Sequence, residues 1–183
     1  MALSLRKIRL RLVWLLVLPF LWYARPTPLL LGIGAGLAVL GLVVRAWAAG
    51  VIRKEKQLAT SGIYAHTRNP LYLGSFFLGL GVTIAGGQWI FVVLFAVFFL
   101  TVYGRTMRGE AEFLEEAFGE AYRDYARNVP LLIPRPTAYR APGLTEGEAP
   151  GFSVERWRGN KEYEALMGAV AAFAFLALRL VWP

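Results

Sequence analysis

The chain of 183 residues contains no cysteine and a single histidine, His66. The first absence excludes disulfides, thiolate nucleophiles and cysteine-ligated metals. The second excludes a histidine-rich metal centre, so no metal is expected. Charge is also missing where a soluble helix would need it: several runs approach the ~20 apolar residues that cross a bilayer as a helix. Acidic residues are outnumbered, 12 against 20 Lys and Arg, for a net charge of +8. In a soluble chain that excess would suggest nucleic acid. Here the hydrophobic fraction is 57% and the mean hydropathy +0.48. The positive charge therefore reads as basic loops facing the cytosol and membrane lipids, with no nucleic-acid partner.

Five segments qualify as spans of one all-α integral membrane domain over residues 1–183. They are expected at about 8–24, 29–49, 71–85, 88–103 and 165–182. Pro19 lies inside the first, and Arg25-Pro26-Thr27-Pro28 forces a turn after it. Arg45 sits near the end of the second, where it can snorkel to the interface. Gly86-Gly87 closes the third in a tight turn. Arg6, Lys7, Arg9 and Arg11, then Arg53, Lys54, Lys56 and Arg68, then the residues from Arg105 to Lys161 share one side of this arrangement. Only Arg25 and Arg179 fall on the other. The positive-inside rule puts the N-terminus in the cytosol and the C-terminus outside. The apolar run after Arg11 also looks like a signal peptide, but Trp22-Tyr23 and Arg25 replace the small residues of a cleavage site. Gly32-x-x-x-Gly36 in the second span reads as a helix-packing motif rather than a dinucleotide loop, which would have to follow a strand.

Two polar regions remain, 50–70 and 104–137, both expected on the cytosolic side. In the first, Asn69-Pro70 opens the third span. Tyr64, His66, Arg68 and Asn69 thus sit on a constrained loop at a helix N-terminus, where unpaired N–H groups favour an anion. In the second, the spacing predicts a helix over 108–128, a cytosolic cap between spans four and five. Glu110, Leu114, Phe118, Tyr122 and Tyr125 fall on one face, and Glu112, Glu116, Glu120 and Asp124 on another. Glu110 is an acid on the apolar stripe and calls for a partner: Arg68, Arg105 or a bound cation. Leu131 to Pro134 could cover a pocket as a lid, and 138–151 reads as a flexible linker. Phe152 to Glu164 reads as a short interfacial helix.

Gly62-x-Tyr64 followed by Arg68-Asn69-Pro70-Leu71-Tyr72-Leu73-Gly74 resembles the GPYxxxRHPxYxG signature of isoprenylcysteine carboxyl methyltransferases and the related phospholipid methyltransferases. Glu110, Leu114, Phe118-Gly119, Tyr122, Tyr125, Val129-Pro130 and Ile133-Pro134 resemble that family's second block. Ile63 stands where Pro is usual, Asn69 where His is common, and Ala111 replaces a second Glu. The resemblance implies S-adenosylmethionine as methyl donor and a lipophilic acceptor entering from the bilayer. The catalytic candidates are Arg68, Glu110 and His66, where His66, which is not at the signature's His position, or Glu110 would be the base an amine acceptor needs. The cofactor-binding candidates are Tyr64, Arg68, Asn69, Tyr72, Glu110, Tyr122 and Tyr125. Arg68 suits the donor's carboxylate and Glu110 its ammonium, while Tyr122 and Tyr125 could stack on adenine or face the sulfonium. An isoprenylcysteine-like carboxylate is the nominal acceptor and a phospholipid ethanolamine the alternative. Readings of other classes are an NADPH-dependent membrane reductase and a non-catalytic scaffold.

Overall fold

The computed structural model describes residues 5–52, 58–140 and 151–182, with side chains from Trp14 onward. The side chains of Arg6, Lys7, Arg9 and Arg11, the basic run Arg53, Lys54 and Lys56, and residues 141–150 of the expected linker lie outside them. Every regular element among the described residues is helical. α1 (Leu5–Tyr23) and α2 (Pro28–Val51) flank the Arg25–Thr27 turn, where the Thr27 hydroxyl accepts from the Leu30 N–H and Pro28 takes the first helical position. A 3₁₀ turn at Gly62–Ala65 precedes α3 (Pro70–Ala85). α4 (Trp89–Phe98) continues through a π-helical segment at Phe99–Tyr103 into α5 (Gly104–Phe118). α6 (Glu120–Asn128), α7 (Val154–Gly159) and α8 (Glu162–Val181) complete the chain.

Among the described residues three helices are long and apolar enough to cross a membrane: α2, the continuous 30-residue helix Trp89–Phe118, and α8. The apolar stretches Trp14–Tyr23 and Pro70–Ala85 are shorter. The fourth apolar segment thus does not end at Tyr103 but runs on without a break into the polar helix. That helix in turn ends at Gly119, whose φ of 54° is left-handed and suits glycine. The expected single helix over 108–128 is therefore two, α5 and α6. The face bearing Glu110, Leu114, Phe118, Tyr122 and Tyr125 nevertheless stays together, since all five line one cavity.

α2 and α3 pack antiparallel and very closely. The glycines that permit this are Gly34 and Gly41 on α2, facing Gly81 and Gly74 on α3. A Cβ on Gly74 would lie 2.6 Å from the Gly41 carbonyl oxygen, and one on Gly81 would strike the Gly34 carbonyl. Gly32 and Gly36, the pair expected to pack, have no atom within 4 Å of a built Cβ. The contact runs on a seven-residue repeat along one face, and the Gly32–Gly36 pair lies off it. Gly81→Ala should destabilise the protein by about 1–3 kcal/mol through backbone overpacking. Gly36→Ala should be neutral or slightly stabilising, because nothing opposes the added methyl. Thermal unfolding of both variants in detergent checks the contrast.

The two ends of the bundle differ. At one end the Arg25 N–H donates to the Gly86 carbonyl at 2.8 Å, and Arg179 Nη2 donates to the Trp22 carbonyl at 2.7 Å. At the other, α7 caps the last turn of α2. There the Ser153 N–H and Arg156 Nε donate to the Gly50 carbonyl and Asn160 Nδ2 to the Ala49 carbonyl, at 2.7–3.0 Å. The expected interfacial helix over 152–164 is thus a short latch on α2. Arg45 departs most from expectation. It turns inward and holds Glu162 bidentately, Nε to Oε2 at 2.9 Å and Nη2 to Oε1 at 2.8 Å. Its Nη1 reaches Ser75 Oγ at 2.5 Å and the Leu71 carbonyl at 3.5 Å. A carboxylate 7% exposed at the start of α8 gives a guanidinium a stronger reason to turn in than lipid headgroups give it to snorkel out.

Candidate active site

The loop before α3 is held by the segment after α6. The Arg68 N–H donates to the Pro130 carbonyl at 3.0 Å and the Arg135 N–H to the His66 carbonyl at 2.9 Å. The Tyr139 N–H donates to the Ala65 carbonyl at 3.0 Å. Side chains add to the seam: Thr67 Oγ1 donates to the Leu132 carbonyl at 2.9 Å, and Asn69 Nδ2 to the Leu131 carbonyl at 3.0 Å. Residues 130–139 are therefore a strap fastened along the loop. Leu131 to Pro134, expected as a lid from its apolarity, is not among the residues that line the cavity behind the seam. Sequence reasoning missed this seam because its partners lie more than sixty residues apart.

Behind the seam, a cavity of about 330 Å³ lies between the loop and α5–α6. Its polar lining comes from Tyr64, Arg68, Asn69, Glu110, Tyr122 and Tyr125. Its apolar lining includes Leu58, Leu114 and Phe118. The two expected site residues that it does not include are His66 and Tyr72. The His66 ring is engaged elsewhere, with Nδ1 2.9 Å from the Arg135 carbonyl. The Tyr72 ring packs edge-on against Tyr103 with centroids 5.6 Å apart.

The tyrosines on α6 build the floor rather than offering free faces. Arg68 lies over the Tyr122 ring, 5.9 Å from its centroid, and Arg68 Nη1 donates to the Tyr122 hydroxyl at 3.0 Å. The Tyr125 hydroxyl donates to the Tyr64 carbonyl at 2.7 Å, and its ring packs on Tyr139 at 5.5 Å. Tyr122 and Tyr125, expected to stack on adenine or face the sulfonium, line the cavity but are nearly fully buried, with Arg68 over one ring and Tyr139 against the other. Phe118, partly buried, and Phe113, exposed, are the lining aromatics left with free surface.

Two groups in this cavity lack partners. The Tyr64 hydroxyl and Arg68 Nε are buried without a hydrogen bond among the described residues. No carboxylate pairs with Arg68 among those residues, and exposed Glu110 forms no ion pair with Arg68 or Arg105. A guanidinium so sheltered calls for an anion.

Burial pushes the Tyr64 and Tyr125 phenols up from their ordinary value. Tyr139 rises to about 12, through burial first and then its 2.6 Å hydrogen bond to Asp124 Oδ2. The fold thus favours the neutral phenols. Their contribution to stability is whole below the ordinary phenol pKa of ~10 and is lost as pH climbs through the raised values. Spectrophotometric titration should show three of the 8 tyrosines ionising late, together with alkaline unfolding.

The phospholipid methyltransferase family model matches residues 29–121, from α2 through the first residues of α6. The chain belongs to this family. Among individual proteins, it is 36% identical over 116 residues to the cobalt-zinc-cadmium resistance protein CzcN of Cupriavidus metallidurans, covering 62% of this chain and 53% of that one. It is 33% identical over 81 residues to the protein-S-isoprenylcysteine O-methyltransferase of Schizosaccharomyces pombe, covering 44% of this chain and 34% of that one. With the enzyme of the same name from Dictyostelium discoideum it shares 30% over 128 residues, 62% and 54% of the two chains. The chain thus spans about half, or less, of the length of the curated relatives it matches. No solved structure matches it. The family match covers the loop, α3 and the whole of α5, so the cavity's lining lies within it except for Tyr122 and Tyr125 of α6.

Proposed function

We propose that the protein transfers a methyl group from S-adenosylmethionine to a lipophilic acceptor at the cytosolic membrane face, most simply to an isoprenylcysteine-like carboxylate. The observation that carries this reading is the unpaired Arg68 guanidinium in the cavity between the loop and α5–α6. When bound, the donor supplies an electrophilic methyl on a sulfonium. Arg68 Nε and the Tyr64 hydroxyl offer donors to its carboxylate. Glu110 stands in the same cavity for its ammonium, and Phe118 presents the apolar surface an adenine needs. A volume of about 330 Å³ lies within the range of small-molecule sites. The chain's own part is positioning and the exclusion of water. A carboxylate acceptor is already ionised at neutral pH and needs no base. His66 has no task in this scheme.

We read the five apolar helices as five crossings, with the start of α1 in the cytosol and the end of α8 outside. Three helices are long enough outright. The shorter α1 and α3 join them through the turns at 24–27 and 86–88, which share one end of the bundle. The loop, the strap and α5–α6 then face the cytosol, as the basic residues require.

Titration calorimetry of the full chain in detergent, with S-adenosylmethionine and with NADPH, tests the reading. Binding of the first alone is expected, followed by labelled methyl in lipid extracts incubated with isotope-labelled donor. Binding of NADPH alone, or of neither, would sink it.

A further inference from the structure

The bundle holds a second and larger cavity, of about 740 Å³, between α1, α3, α4 and the start of α8. Val17 and Phe20 of α1, Val82 of α3, and Phe91, Phe95 and Phe99 give it an apolar wall. Along α3 it extends from Ser75 to Thr83, eight residues or ~12 Å of helix. Only the end near α8 carries charge. There Arg45, Ser75, Lys161 and Glu162 line it.

This end is built, not incidental. Arg45 bonds Glu162, Ser75 and Leu71. Those bonds use four of its five N–H groups and leave one Nη2 N–H over. Of the ion pair, the guanidinium is the more accessible partner, 21% exposed against 7% for the carboxylate. Lys161 adds a second cation with no ion pair among the described residues. It is also the one non-glycine among them with positive φ, at 56°. Backbone strain of this kind persists where the surroundings impose it and gathers at functional sites. Glu164 stands at the same rim, exposed. An apolar channel that ends in an accessible guanidinium and a free ammonium matches one ligand shape: a single chain with one anionic head.

We propose that this cavity binds a single-chain anionic amphiphile, its head at Arg45 and Lys161 and its tail along the phenylalanine wall towards Phe91. The proposal rests on the methyl-transfer reading only for the fate of the head. Leu71, whose carbonyl accepts from Arg45, also lines the smaller cavity, so one turn of α3 separates the two sites.

Native mass spectrometry of the full chain in detergent tests this, with decanoate, dodecanoate, dodecanol and dodecylamine as probes. One bound dodecanoate is expected, gripped about tenfold more tightly than dodecylamine. Each added methylene should tighten binding about fourfold until the channel is full. Val17→Trp, which fills the channel from α1, should weaken dodecanoate at least tenfold while thermal unfolding stays near the parent's. Lys161→Asn keeps a residue that tolerates the left-handed backbone. It should weaken dodecanoate about fivefold and leave dodecanol unchanged. Equal binding of dodecanoate and dodecylamine, or indifference of dodecanoate to either substitution, overturns the proposal. Should Val17→Trp fail to fold, Lys161→Asn decides. Calorimetry with S-adenosylmethionine alone separates the two claims. Donor binding without dodecanoate ends this inference and leaves the proposed function standing, and dodecanoate binding without donor does the reverse.

Discussion

Glu162→Ala should destabilise the protein by about 3–5 kcal/mol, enough to abolish recovery of folded material from detergent. The carboxylate is 7% exposed and answers two N–H groups of Arg45. Removing it leaves the part-buried guanidinium with Ser75 and the Leu71 carbonyl but without a counter-charge. The companion change Arg45→Leu together with Glu162→Leu removes both charges at once. It should recover most of the loss, because a buried pair is far less stabilising in total than either half is indispensable. Thermal unfolding of the two variants, side by side, measures the difference. Equal losses in both would mean that the pair holds α8 through attraction that no apolar contact replaces.

Arg68→Ala should lower kcat/KM for methyl transfer by about 100-fold or more, most of it through the donor. Charge-assisted hydrogen bonds contribute ~1.5–3 kcal/mol, and Arg68 would supply the cavity's unpaired cation. The fold should survive. Arg68 holds the strap through its backbone N–H, which alanine keeps, while Tyr122 loses a hydroxyl hydrogen bond and the guanidinium over its ring. Calorimetry with S-adenosylmethionine on a variant of unchanged unfolding temperature checks this. Arg68→Lys should restore only part of the activity, since an ammonium cannot lie flat on the Tyr122 ring while also presenting a fork to a carboxylate. Full activity in Arg68→Ala would remove the residue from the site.

The apolar segments, the turn at 24–27 and the loop before α3 were legible because each is written locally, in hydropathy, proline or a helix-opening Asn-Pro. The stripe from Glu110 to Tyr125 was legible because helical periodicity survives the break at Gly119. What stayed hidden depends on residues distant in sequence. Arg45 and Glu162 are 117 positions apart, and nothing near Arg45 announces its partner. An arginine within an apolar helix was the available signal, since such a residue needs a partner when it cannot reach water. The glycine seam was misplaced by two residues because spacing alone does not say which face of α2 meets α3. The floor role of Tyr122 and Tyr125 was missed for a related reason: a tyrosine on a pocket-facing stripe reads the same whether its ring is free or already covered.

The unbroken helix from Trp89 to Phe118 has a mechanical implication. At 30 residues it is a rod of ~45 Å, against a hydrocarbon slab of ~30 Å. One continuous helix therefore carries exposed aromatics such as Trp89 at its foot and Glu110 of the smaller cavity at its head. If the helix crosses the bilayer as proposed, a change of bilayer thickness that tilts its foot would also shift Glu110 relative to Arg68, coupling that spacing to the surrounding lipid.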